Sequence, residues 1–327
     1  MKPAVLVTRR LPDKGMAPLF SRYSVTINPH DRVMSRQELM EGIEGKQALL
    51  SLLTDTVDSA VMDAAPGLRV ISNYAVGFNN IDVKAATERR IVVTNTPGVL
   101  TETTADFAFA LMLSIARRIP ESERFLRAGR FQGWGPMLLL GEDIHRKTLG
   151  IVGMGRIGRA VAKRAAGFSM EVIYHSTKPL SAGEETMLSA RYAPLDELLQ
   201  ASDFVTLHVP LTEKTRHLIG ARELGLMRKD AFLINTSRGP IVDEEAVAEA
   251  LASASIRGAA LDVYEKEPQV HPGLLALENV ILAPHTASAT VKTRTLMAEI
   301  AAQNLIAAME GERPPHVVNP EVLSPGR

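Results

Sequence analysis

The sequence predicts an α/β protein built from two doubly wound parallel-sheet domains. Three observations carry that prediction. The 327 residues exceed what one ordinary core holds. Short apolar or β-branched runs alternate with helical-looking segments, and the alternation stops near the middle of the chain and then restarts.

In chain order the first set of runs is Ala4–Val7, Val25–Ile27, Ala48–Leu53, Val70–Tyr74 and Ile91–Thr94. Thr101–Ala116 follows, apolar enough to be a buried helix, and it reads as the connection into the second domain. After a polar, glycine-containing stretch around Gly129–Gly141 come Leu149–Val152, Glu171–Tyr174, Phe204–Val209, Phe232–Asn235, Gly258–Val263 and Val280–Ala283. A last long helix, about Thr290–Met309, is placed to return the chain to the first domain. Residues 1–99 with 290–327 therefore form one expected domain and residues 100–289 the other, with a cleft between them and a hinge at the double crossing.

Thirty-seven basic side chains balance 37 acidic ones, so the electrostatic footprint of a nucleic-acid or anionic-membrane binder is missing and a small-molecule ligand is expected. With no cysteine there are no disulfides, thiolate zinc sites or cysteine nucleophiles; a cytoplasmic protein without a metal fits that composition. The amino terminus runs straight into the first strand without a signal-peptide pattern. Phe107–Ala116, the most apolar stretch, is about half of what a bilayer crossing needs.

Thr148-Leu-Gly-Ile-Val-Gly153-Met154-Gly155-Arg156-Ile157-Gly158 joins an apolar strand, a G-x-G-x-x-G turn and an alanine-rich helix. Alone, those six residues are weak evidence and a purely structural turn would do. Flanked this way, the glycines permit close backbone approach and the helix start offers N–H groups to a pyrophosphate. NAD-preferring sites of this kind usually end the next strand with an acid. Here that place holds Tyr174-His175-Ser176-Thr177-Lys178. Two hydroxyls and an ammonium suit a 2′-phosphate, which a carboxylate would repel. NADPH is the expected cofactor, with NADH as the alternative if the turn is only a solvated loop.

Among eight histidines, His175, His208 and His285 fall at or near predicted strand ends. His175 belongs to the adenosine strand, and His208, inside Val-Thr-Leu-His-Val-Pro, could simply fill a wall. His285 opens a loop directly after a strand and is the best acid–base candidate. A carboxylate for it stands in Asp262-Val-Tyr-Glu265-Lys-Glu267-Pro, and a cation in Asn235-Thr236-Ser237-Arg238-Gly239. Reduction of a 2-keto acid needs those three groups: a proton donor, a carboxylate behind it and a cation for the substrate carboxylate and carbonyl. Singly, each is more often an ordinary loop charge.

At these residues the chain resembles the D-isomer-specific 2-hydroxyacid dehydrogenases, and most the glyoxylate/hydroxypyruvate reductase branch. The likeness runs over nearly the whole length: Asn73-Tyr-Ala-Val-Gly-Phe-Asn-Asn-Ile-Asp82, Thr94-Asn-Thr-Pro-Gly-Val-Leu100, Thr104-Ala-Asp-Phe-Ala, the glycine turn, His208-Val-Pro-Leu-Thr, Asn235-Thr-Ser-Arg-Gly, Asp262-Val-Tyr-Glu-Lys-Glu-Pro and Pro284-His-Thr-Ala-Ser. The resemblance implies a Rossmann-type cofactor domain and a flavodoxin-like substrate domain. It implies that Arg238 orients the substrate and that Glu267 pairs with His285, the proton donor. Backbone N–H groups of Ala75, Val76 and Gly77 would take the substrate carboxylate, with Leu53, Leu100, Trp134 and Ser288 shaping the pocket. Thr104, Asp262, His285 and Ser288 would stand near the nicotinamide, and His208, Val209, Pro210, Thr215, Thr236, Ser237 and Arg238 would complete the cofactor contacts. A homodimer is implied, in which Trp134 reaches the partner's active site; otherwise Trp134 would be a buried anchor of its own loop. Phosphite dehydrogenases share Phe131-Gln-Gly-Trp134 but carry lysine where this chain has Val76, so a carboxylate substrate fits better. A larger 2-keto acid, such as 2-ketogluconate or an aryl pyruvate, is the alternative substrate, and a non-catalytic dinucleotide-sensing module is the alternative class.

Overall fold

A computed structural model describes residues 2–323. These fall into two compact units, one within Met1–Leu100 and Ala289–Arg327 and the other Thr101–Ser288. In the first unit lie β1 (Ala4–Val7), β2 (Ser24–Ile27), β3 (Ala48–Leu52), β4 (Val70–Tyr74) and β5 (Val92–Thr94). They pair in the order β2-β1-β3-β4-β5, all parallel. This is the flavodoxin-like order, and its direction reverses between β1 and β3. Both faces of a parallel sheet are covered, which is why β3 and β4 read as unbroken runs rather than alternating ones. Val5, Val7, Leu50 and Val70 face one core, closed by the helix Val291–Glu310 through Met297, Ala298, Ala301 and Leu305. Leu6, Leu49 and Ile71 face the other. The long helix is punctuated at both ends: Thr290 accepts from the N–H of Thr293, and Gly311 turns left-handed at φ 78°.

The second unit holds β6 (Thr148–Val152), β7 (Glu171–His175), β8 (Ala190–Tyr192), β9 (Phe204–Leu207), β10 (Phe232–Asn235), β11 (Gly258–Leu261) and β12 (Val280–Leu282). Their order is β12-β11-β10-β9-β6-β7-β8, again all parallel. The order reverses between β6 and β9, so the crevice of a Rossmann-type sheet opens at the carboxyl ends of those two strands. The helix Thr101–Ala116 belongs wholly to this unit and buries Ala105, Ala108, Phe109, Leu111 and Met112 against the helix Arg156–Ala165 and the sheet.

Two elements escape the sequence pattern. The edge strand β8 has only Ala190 buried, so no apolar run announces it. The helix Ile119–Arg127 buries none of its side chains, so nothing in the core demanded a stripe on it. No helix among the described residues is long and apolar enough to cross a membrane.

Candidate active site

The glycine turn follows β6 at the reversal point. Gly153 has φ 102°, and a Cβ there would stand 2.6 Å from the carbonyl oxygen of His208, just past β9. A side chain at Gly158 would lie 2.1 Å from the oxygen of Gly153. Those two glycines draw the helix Arg156–Ala165 against the strand end. Gly155 has open space where its Cβ would be. No side chain caps the start of this ten-residue helix, so its first N–H groups point outward with the positive end of the helix dipole behind them. Thr236 Oγ1, after β10, is buried without a partner among the described residues. An uncapped helix start, an open glycine and an orphaned hydroxyl are what a dinucleotide would complete, and the residues present fit one.

At the end of β7, His175 Nδ1 meets the carbonyl of Ala193 at 3.2 Å. Ser176, Thr177 and Lys178 follow it, and Thr177 and Lys178 are exposed. His208 Nε2 lies 2.9 Å from Thr206 Oγ1. Although the residue as a whole is half-buried, burial of its imidazole pushes the ring down to about 3, so it stays neutral at ordinary pH.

His285, Glu267 and Arg238 come together within this unit. His285 Nδ1 and Glu267 Oε2 are 2.9 Å apart, and Oε1 of Glu267 accepts from the N–H of Tyr264 at 3.1 Å. Burial alone would raise Glu267, but the hydrogen bond and charge of His285, helped by Tyr264 N–H and Arg238, outweigh it and hold the carboxyl below its usual range. A carboxylate only accepts, so Nδ1 carries a proton and Nε2 is left facing away from Glu267 with no partner among the described residues. His285 sits at φ 54°, a strained conformation for a non-glycine residue, held by two hydrogen bonds from its N–H to the carbonyls of Asp262 and Ala283. Asp262 fixes the following residues: its oxygens accept from Thr286 N at 2.7 Å and Ala287 N at 2.8 Å. Burial pulls Arg238 below its ordinary value, while the charge of Glu267 works the other way; at neutral pH it remains a cation.

Sequence reasoning passed over the residues that bring these loops together. A Cβ on Gly239 would lie 1.8 Å from the carbonyl carbon of Tyr264, so only glycine lets the Arg238 loop touch the Glu267 loop. Glu244, 5% exposed, accepts from the N–H groups of Glu265 and His271, and its own N–H donates back to Glu265 at 2.9 Å. The glycine after Arg238 was the available signal. Nothing in the local sequence singled out Glu244.

In the five-stranded unit, the Ala75–Gly77 loop has all three carbonyls tied back. Thr96 N–H donates to Ala75 O at 2.9 Å, Asn95 Nδ2 to Val76 O at 2.7 Å and Asn73 Nδ2 to Gly77 O at 2.9 Å. Ala75 N–H is taken by the carbonyl of Asn73, whereas those of Val76 and Gly77 have no acceptor among the described residues. The N–H groups of Val76 and Gly77 are therefore the open donors of this loop, while that of Ala75 bonds within it. Leu53 stands in the turn after β3, and Leu100 ends the first of this unit's two chain segments. Thr104 is buried in the helix Thr101–Ala116, Thr215 Oγ1 is engaged with Pro210 O, and Ser237 Oγ with Val209 O. Ser288 closes the segment after His285. Trp134 is 85% exposed, which rules out a buried anchor of its own loop. Among the described residues, no group of three His, Asp or Glu could hold a metal ion.

A dinucleotide turn on a Rossmann-type sheet, beside a His–Glu pair and an arginine, defines a nicotinamide-dependent oxidoreductase. Comparison with known proteins narrows the class. The model of the D-isomer specific 2-hydroxyacid dehydrogenase NAD binding domain matches residues 109–287. Glyoxylate reductase of Korarchaeum cryptofilum is 51% identical over 99% of this chain and 98% of its own, and that of Thermococcus gammatolerans 49% identical over the same shares. Among solved structures, TT0316 protein from Thermus thermophilus superposes with a TM-score of 0.90 at 45% identity, covering 96% of this chain and 99% of that one. A Sinorhizobium meliloti protein described as an NADPH-dependent glyoxylate/hydroxypyruvate reductase, in complex with NADP and malonate, gives 0.86 at 33% identity, with 100% and 99% covered. The chain belongs to the D-isomer specific 2-hydroxyacid dehydrogenases.

Proposed function

We propose that this enzyme is an NADPH-preferring reductase of glyoxylate and hydroxypyruvate, giving glycolate and D-glycerate. The observation that carries the reading is the His285–Glu267 pair at 2.9 Å, with Nε2 of the imidazole left open and the half-buried Arg238 cation near enough to bias the carboxylate. The bound nicotinamide supplies the hydride. Arg238 orients the keto acid and polarises its carbonyl, while the N–H groups of Val76 and Gly77 hold its carboxylate. The protonated imidazole of His285 gives its Nε2 proton to the carbonyl oxygen, and Glu267 keeps the ring in place and stabilises its cation. Glyoxylate as substrate rests on the archaeal relatives, and hydroxypyruvate on the Sinorhizobium one.

The preference for NADPH is supported by Ser176, Thr177 and Lys178, none of which is engaged within the described chain and none of which is an acid. Residues 1–99 and 290–327 then serve as the substrate-binding domain and 100–289 as the cofactor domain; residues 1 and 324–327 lie outside the described ones. A homodimer is supported by exposed apolar side chains in one stretch of chain, residues 126–140, with Trp134 and Met137 85% and 77% exposed and Leu126, Phe131 and Leu140 at least half so. Trp134 in that stretch would enter the partner's active site. Sedimentation checks the dimer. The reaction is tested by following NADPH and NADH oxidation in parallel with glyoxylate, hydroxypyruvate and bulkier 2-keto acids. Fastest turnover with NADPH and the two small acids is expected; saturable NADPH binding with no turnover on any acid would end the proposal.

A further inference from the structure

At the carboxyl ends of β3 and β4 two loops are joined by one pair of side-chain amides. Asn80 Nδ2 donates to the carbonyls of Leu52 and Asp55, both at 3.0 Å, and so grips the turn that carries Leu53. Asn80 Oδ1 accepts from Asn73 Nδ2 at 3.1 Å. The same Asn73 nitrogen donates to Gly77 O at 2.9 Å, and its Oδ1 accepts from Ser51 Oγ at 3.1 Å. Asn73 is fully buried. The gripped turn is also fixed from below, where Asp55 Oδ2 accepts from Leu52 N at 2.7 Å and from the hydroxyl of Thr8, just past β1. A network that only stabilised the sheet could end on strand carbonyls. This one ties the Leu53 turn to the very loop that carries the N–H groups of Val76 and Gly77.

We infer that Asn80 is a positioning residue: with Asn73 it clamps the Leu53 turn to the Ala75–Gly77 loop and thereby sets the affinity for the substrate carboxylate. The inference rests on the reading that Val76 and Gly77 bind that carboxylate. An amide is required at position 80 because one group must donate to two carbonyls and accept from a third amide; neither alanine nor aspartate does both. Loss of Asn80 releases the Leu53 turn and removes the acceptor that orients the Asn73 amide, so the Gly77 carbonyl that Asn73 holds, and the loop N–H groups beside it, lose their fixed position.

The test compares glyoxylate with glycolaldehyde, an aldehyde that lacks the carboxylate. Asn80→Ala should raise KM for glyoxylate about tenfold, the equivalent of one buried hydrogen bond. Its kcat and its NADPH Kd should stay within about threefold, and its kcat/KM with glycolaldehyde should stay within about the same margin, a split that a general loss of fold would not give. Asn80→Asp, equal in size, should behave alike and carries the test if the alanine variant does not fold. An unchanged KM for glyoxylate, or equal losses on both aldehydes, overturns the clamp. A wild-type enzyme that reduces glycolaldehyde as efficiently as glyoxylate would remove the carboxylate reading itself, and the clamp's part in substrate affinity with it.

Discussion

The strand ends of the two sheets are built by opposite means. Past the five-stranded sheet, side-chain amides of Asn73, Asn80 and Asn95 are consumed in tying down carbonyls, and what remains open is backbone N–H. Past the seven-stranded sheet, close approach at Gly153, Gly158 and Gly239 locks the backbone, and the open groups include a titratable side chain, Nε2 of His285, beside the uncapped N–H groups of the glycine turn's helix. Fixed N–H groups suit recognition of a charge that never changes. A proton that must leave and return needs a titratable group, and only a side chain supplies one.

Four measurements would break or sharpen that contrast. His285→Ala should cost the most, about 10³-fold in kcat for glyoxylate with NADPH affinity retained, as loss of an acid catalyst does; kinetics near those of the wild type would remove the catalytic end from the seven-stranded sheet. Gly239→Ala comes next. Its Cβ would drive the Arg238 loop off Tyr264, and a loss of about 2–4 kcal/mol in stability, read by urea melts together with a fall in kcat, is expected. A variant as stable and active as the wild type would show that close approach does not lock these loops. Ser176→Asp should weaken NADPH about tenfold relative to NADH in fluorescence titrations, through repulsion of the 2′-phosphate; an unchanged ratio would move the cofactor preference elsewhere. The smallest effect concerns His208. Its folded value lies near 3 against an ordinary 6.5, so the unfolded chain takes up a proton that the folded one refuses as pH falls below 6.5, and stability declines from there toward 3. His208→Asn should accordingly lose less Tm than the wild type between pH 7 and 5, whereas parallel Tm profiles would contradict the burial of that ring.

Much of this was legible in one dimension. The runs at Ala4–Val7, Val70–Tyr74 and Phe232–Asn235 coincide with β1, β4 and β10, and Thr101–Ala116 with its helix, because buried parallel strands and a buried helix must be continuously apolar. The run through Phe204–Val209 overshot, since β9 stops at Leu207 and the residues beyond it turn toward the glycine loop. Site residues were legible where a residue type is itself the chemistry, as with His285, Arg238 and the carboxylates near Asp262. Those whose work is geometric were not. Asn80 and Glu244 look like surface polar residues until the loops they hold are in place.

The sequence alone determined the two-sheet α/β class, the dinucleotide turn and the small set of groups able to move a proton, because periodicity and side-chain chemistry are local properties of the chain. Only the tertiary structure decided the geometry: that Glu267 meets His285 Nδ1 at 2.9 Å, that Glu244 and Gly239 bring the loops of Arg238 and Glu267 together, and that His208 is kept neutral. Each depends on which backbone donors and buried atoms arrive from distant segments, and that is settled by packing.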